Sequence, residues 1–400
     1  MTWPSISIED ACSLVTDGTH YSPQDAGVGV PFLTVKDMTP EGLSLEVASR
    51  ITRTEFEKAV VGNSAPRPGD VLFSKDGTVG KVHVVTERIE FAVLSSIAIL
   101  RPRPEKLDGG FLGQVLRSPT VLRRAANSKT GSALTRIVLK DLKRVAIPLP
   151  PLAEQRRIAA ILDKADAVRR KWRRSLRLLD GFRRSAFLEI FGDPARNEKG
   201  WVLGRIGDFV VQAQYGTSTR ANTEQRGLPV LRMNNLTQTG DIDLTDLKWC
   251  EIRPQDMEKY IVRRGDLLFN RTNSPELVGK TAVWDRNEPF AFAGYLIRAR
   301  VDKARVLPEY MSGYLNSRYG KRLLFEKAKP SINMSNISAT ELKRLPIPLP
   351  PLSVQRHYCG VLGTAKLAAE RFLSASSDSN DLFDSLAQRA FGGELWTIAE

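Results

Sequence analysis

The side chains best suited to recognition chemistry are arginines paired with asparagines in polar stretches: Arg232 with Asn234 and Asn235, and Arg271 with Asn273. An arginine fork matches the two acceptors on guanine, and an asparagine amide matches the acceptor and donor on adenine, so these residues suit bidentate contact with base edges in a DNA groove. The same part of the chain also offers Tyr215, Thr217, Thr219, Arg220, Thr272, Lys280, Lys329, Asn333 and Asn336. An earlier part offers Thr19, His20, Tyr21, Lys36, Asp37, Lys75, Asp76, Thr78, Lys81, Lys129, Thr135 and Arg136, with the cations suited to holding phosphates beside the bases. Each Asn and Asp has an alternative role as a turn former that needs no ligand, and Tyr21 and Tyr215 could equally stack on a base or pack on their own domain. Asp70 and Asp266, each between a glycine and an apolar run, are assigned to turn geometry.

Catalytic chemistry finds less support. His20 and His83 lack the companions that a metal site or a nucleophile triad needs, and His357 stands at the start of a helical run. Cys12, Cys250 and Cys359 are too few and too far apart for a disulfide framework or a thiolate metal site. A methyltransferase acting on an amino group would show Asn or Asp before Pro-Pro-aromatic, whereas every Pro-Pro pair here lies in LPPL. A restriction-type nuclease would pair Pro-Asp with an acidic-x-Lys; DLK at 141–143 and ELK at 341–343 give the second half, and no Pro-Asp occurs. SPELVGKT at 274–281 resembles a phosphate-binding loop but has Ser274 where the first glycine belongs.

The elements that must position these residues follow from the whole chain. Its 400 residues, 42% hydrophobic and 26% charged, suit two ordinary globular domains. The 59 Lys and Arg exceed the 45 Asp and Glu by 14, a balance that attracts polyanions through counterion release. Nucleic acid is the first partner this implies. The longest nearly apolar run, 91–100, is too short to span a membrane, and the opening residues carry no leader pattern, so a cytoplasmic protein without a membrane partner is expected.

The sequence is written twice. VAIPLPPLAEQRRI at 145–158 returns as LPIPLPPLSVQRHY at 345–358. Trp3 and Gly18-Thr19 are echoed by Trp201 and Gly216-Thr217, PGDVLF at 68–73 by RGDLLF at 264–269, and VGK at 79–81 by VGK at 278–280. Between these anchors the copies diverge, which suits one frame carrying two recognition surfaces. Each copy begins with short β-rich runs broken by Gly, Pro and Asp, and passes through a stiff Pro-rich connector. It ends in apolar residues spaced three and four apart over 152–190 and again over 352–390. Two long helices are expected, paired antiparallel as a coiled coil between the domains, with a fray or kink at SASSDSN, 374–380. The first stretch has 11 Lys and Arg against 5 Asp and Glu, the second 4 against 4; the basic runs could face DNA, an acidic partner or only solvent.

PLPPLAEQRRI at 148–158, TDGTHYSP at 16–23 and the two GDxLF segments resemble the specificity subunits of Type I restriction-modification enzymes. The resemblance implies an α+β fold with an internal pseudo-twofold repeat: recognition domains over 1–151 and 193–351, each α/β, and spacer helices over 152–192 and 352–400. It implies that each domain reads one half of a bipartite, asymmetric site on double-stranded DNA. It also implies that the helices hold two modification methyltransferase subunits and, through them, restriction or translocase subunits. Glu154, Gln155, Arg156, Gln355 and Arg356, at the two helix starts, would contact those partners. Val354 stands where the family pattern has Glu. No cofactor is expected in this chain; S-adenosylmethionine, ATP and Mg²⁺ would sit in the partners, and the chain itself would be non-catalytic. The alternatives are a stand-alone DNA-binding or DNA-modifying protein of another restriction class, or a structural protein that uses its helices to dimerise.

Overall fold

The computed structural model describes residues 3–118, 121, 123, 136–274, 277–331 and 334–394, with only the backbone of 329–331 and 334. The chain forms two compact units, one made of 1–174 with 372–400 and the other of 175–371.

The first unit is built on an antiparallel sheet in the spatial order Cys12–Asp17, Ile97–Pro102, Val71–Ser74, Val82–Val84. Successive strand residues point to opposite faces. Here Val71, Phe73, Ala98 and Leu100 enter one core while Leu72, Ile97 and Ile99 enter another. Burial on both faces explains why these strands read as unbroken apolar runs. A smaller sheet, Ser49–Ile51, Val30–Leu33, Ala92–Val93, flanks it. Ser5–Ser7 pairs with Ala146–Pro148, so the start of the domain clasps the strand that leads into the Pro-rich connector.

The second unit repeats the plan. Its main sheet runs Val210–Tyr215, Leu296–Val301, Leu267–Asn270, Thr281–Val283, again antiparallel throughout. Leu267 and Phe269 join one core and Leu268 the other. Val202–Arg205 clasps Pro346–Leu349. The α+β architecture with an internal repeat is therefore present.

Leu152–Phe191 and Leu352–Gly392 are single helices of 40 and 41 residues. In the first unit Ile158, Ala159 and Leu162 share a core with Phe383, Ala387 and Ala390, while Trp172 meets Phe372 at 5.6 Å between ring centroids. These segments run in opposite directions. In the second unit Phe187 and Phe191 close on Tyr358, at 5.6 and 5.1 Å. The fray or kink expected at 374–380 is corrected: helix continues through it. Anchors on both sides, Phe372 under Trp172 and Phe383 under the Arg169 guanidinium, outweigh the weak helix propensity of the serines.

Candidate nucleic-acid interface

Residues that recur in both copies are mostly spent on the frame. Asp70 caps its turn by accepting from the Arg67 amide and takes a bidentate ion pair from Arg101, both contacts at 2.8 Å. Asp266 does the same with the Arg263 amide and with Arg300. The turn role read from sequence is right, and an ion pair from a partly exposed arginine to the buried carboxylate is added to it. Gly18 and Gly216 pass so close to the neighbouring strand that a Cβ would stand 2.0 Å from the Val93 carbonyl oxygen and 2.2 Å from that of Ala293. Trp3 and Trp201 donate their indole N–H to the last carbonyls of a long helix, Ala390 and Phe191, both at 2.9 Å.

The two motif glutamines are fully buried. Gln155 accepts from the Asp108 amide and donates to the Lys106 and Pro150 carbonyls, each at 2.8 Å. Gln355 accepts from the Leu307 amide and donates to the Arg305 and Pro350 carbonyls. Each pins helix, Pro-rich connector and preceding loop together. The partner-contact role expected of Gln155 and Gln355 is corrected on this ground, since neither has a polar atom left at a surface. Arg156 and Arg356 are exposed and Glu154 is half-buried.

Other expected contacts also turn inward. Lys81 donates to the Val35 carbonyl at 2.8 Å and Lys280 to that of Met233 at 2.6 Å, the same clamp in each copy. Asn235 accepts from the Arg232 amide and donates to the Asp243 and Asp246 carbonyls, and Asp37 caps Thr34 in the equivalent turn. Lys280 and Asn235 are thus corrected to structural roles by burial, and Lys81 is engaged likewise. The Lys280 clamp also removes the lysine that a phosphate loop at 274–281 would need. Thr19 and Thr217 are buried and bond within their own loops, to the Tyr21 carbonyl and to Thr219. Arg232 is bound by Asp246, and the Asn273 carboxamide oxygen accepts from the Ser274 amide.

The copies part company at the ends of their main sheets. In the first, Lys75 makes a buried ion pair with Asp17 at 3.1 Å, and exposed His20 leans on the same carboxylate at 3.2 Å. In the second, the matching cation Arg271 lies over the Tyr215 ring at 5.0 Å. One residue further on, Asp76 holds Arg136 at 3.5 Å, and the matching Thr272 donates to Asn336 at 2.5 Å. An open cleft lined by Asp17, Thr19, His20, Tyr21, Lys58 and Ser64 adjoins the first cluster. Asp17 was missed in the sequence; the signal was its place before the Gly-Thr anchor, where the other copy has Tyr215.

Of the residues expected to meet DNA, His20, Tyr21, Lys36, Thr78, Arg136, Tyr215, Arg220 and Asn234 are exposed. Tyr21 donates to Glu55 at 2.7 Å. Lys129, Thr135 and Asn333, and the Lys329 side chain, lie outside the described residues. Among the described residues no cluster of His, Cys, Asp and Glu could hold a metal, and no helix is long and apolar enough to cross a membrane. Burial pushes the thiols of Cys12 and Cys359 up to about 12 and that of Cys250 to about 11, which disfavours the thiolate a nucleophile needs.

Comparison with known proteins gives the arrangement a context. The model of the Type I restriction modification DNA specificity domain matches twice, at residues 2–171 and 198–362. The chain is 26% identical over 317 residues to the EcoKI specificity subunit of Escherichia coli (strain K12), covering 73% of this chain and 67% of that one. It is 32% identical over 165 residues to the putative MjaX specificity subunit of Methanocaldococcus jannaschii, covering 40% and 38%. In fold it is similar to the Type-I restriction-modification system S subunit from M. genitalium, at TM-score 0.56 and 14% identity, over 98% of this chain and 96% of that one. A chain from a study of complex assembly and conformational transition in the type I R-M system gives TM-score 0.52 and 19% identity over 98% of each.

Proposed function

The chain belongs to the Type I restriction modification DNA specificity family, and from that premise we propose that each of its two units reads one half of a split, asymmetric DNA site. The observation that carries this is the internal contrast: one frame built twice, with different polar groups at matching sheet ends. Identical surfaces would read identical half-sites; Asp76 with Arg136 and Thr272 with Asn336 offer different donors and acceptors. The net charge of +14 supplies the sequence-independent attraction to the phosphate backbone.

The long helices, which run in opposite directions where they pair in the first unit, would be the coiled-coil spacer of this proposal. They would carry two modification methyltransferase subunits and through them the restriction subunits, with S-adenosylmethionine, ATP and Mg²⁺ in those partners. Arg156 and Arg356, exposed at the helix starts, are the available contacts there. The chain itself would direct N6-adenine methylation without performing it. Methylome sequencing of cells carrying the chain with its methyltransferase should show methyladenine at one bipartite sequence. Methyl transfer by the purified chain alone, or methylation at an unsplit site, would overturn the proposal.

A further inference from the structure

We propose that Arg136, held by Asp76, reads a guanine in one half-site, and that Asn336, held by Thr272, reads an adenine at the matching position of the other. The inference rests on the reading that each domain faces DNA.

The positions are equivalent by backbone, not by sequence identity. The Ile137 amide donates to the Lys75 carbonyl at 2.7 Å and the Ile337 amide to that of Arg271 at 2.9 Å, so residues 136 and 336 stand opposite 76 and 272 in the same antiparallel bridge. In the first domain the Arg136 side chain is 65% exposed, and its Nε faces the Asp76 carboxylate at 3.5 Å. A carboxylate on Nε orients the guanidinium while its two terminal nitrogens keep the spacing that matches O6 and N7 of guanine. In the second domain Thr272 donates to Asn336 Oδ1 at 2.5 Å. With Oδ1 turned to the hydroxyl, the amide keeps a further lone pair on Oδ1 and two donors on Nδ2. Adenine presents one donor, N6, and one acceptor, N7, to such a group. Next to the first reader, Lys75 is spent on Asp17; next to the second, Arg271 lies over the Tyr215 ring, a contact that uses none of its N–H donors. In the first domain base contact at this place therefore falls to Arg136, and in the second Asn336 stands at the matching bridge position, beside Arg271.

The test uses the full chain in complex with its modification methyltransferase and a panel of duplexes in which each position of the split site is varied. With the unaltered chain, one guanine-to-adenine change in one half-site should lower methylation roughly 5- to 150-fold. Arg136→Ala removes every donor at this position and should abolish that discrimination while leaving binding at low salt. The double variant D76T/R136N should move the preference to adenine at that position alone, and Asn336→Ala should relax an adenine in the other half. Guanine preference retained in R136A, with binding weakened uniformly across the panel, assigns Arg136 to a phosphate and overturns the inference, as does a change in both half-sites at once. A thermal melt identifies a misfolded double variant, in which case R136A decides. If the unaltered chain directs no methylation at a split site, the reading of the domains fails rather than the assignment of these two residues.

Discussion

The two units share a backbone plan and differ in what fills it. Where the first buries Val85 and Ile99, the second buries Trp284 and Arg298, and exposed Phe325 has Ala125 at the corresponding sequence position. Arg298 is 1% exposed, donates to the Ile261 carbonyl and lies 3.7 Å from Asp266, a charge the first unit does not have to accommodate. Meanwhile Asp70 and Asp266, Gln155 and Gln355, and Trp3 and Trp201 make the same bonds in each. The comparison teaches a sorting rule. Residues kept between the copies build the frame, and the proposed recognition is assigned to positions that keep their place but change their chemistry.

The sharpest way to break this rule is at the aspartates. Asp266→Ala leaves Arg298 buried without its counter-charge as well as freeing Arg300, so it should destabilise the second unit by about 3–5 kcal/mol. Asp70→Ala frees only the partly exposed Arg101 and should cost the first unit about 2 kcal/mol. Denaturant unfolding with hydrogen exchange read in each unit would measure both; equal costs would mean that the extra buried arginine draws nothing from Asp266. The glutamines come next. Gln155→Ala and Gln355→Ala each strand a buried amide and two carbonyls, and each should cost about 1–3 kcal/mol in its own unit. Similar values sharpen the idea of a shared frame, and a large loss in only one unit would break it. The smallest effect is expected from Trp3→Phe and Trp201→Phe, which remove one helix-end hydrogen bond apiece, about 1 kcal/mol each in thermal melts.

Much of the frame was legible because a repeat exposes positions that backbone geometry constrains. Gly18 and Gly216 match since neither tolerates a Cβ, and the GD pairs match since each turn needs its carboxylate. What was not legible depended on direction. A glutamine at the start of a helix can face solvent or the connector beneath it, and nothing local tells which; Gln155 and Gln355 face inward. Arg232 and Asn235 looked suited to bases because of their groups, yet those groups close a turn. The serine-rich stretch at 374–380 has poor local propensity, and packing that the sequence does not display carries it as helix. At the sheet ends the residue types pointed to recognition, but the pairing of Asp76 with Arg136 and Thr272 with Asn336 required the fold.

The Trp3 bond to Ala390 sets an order of events during synthesis. The second unit is one continuous stretch, 175–371, while the first needs 372–400 as well as 1–174. As the polypeptide emerges from the ribosome, the earlier-made unit must therefore wait, its apolar face uncovered, until Phe383, Ala387 and Ala390 arrive to complete its core. The part translated later can finish first, and nascent chains stalled before residue 372 should be the form most in need of a chaperone.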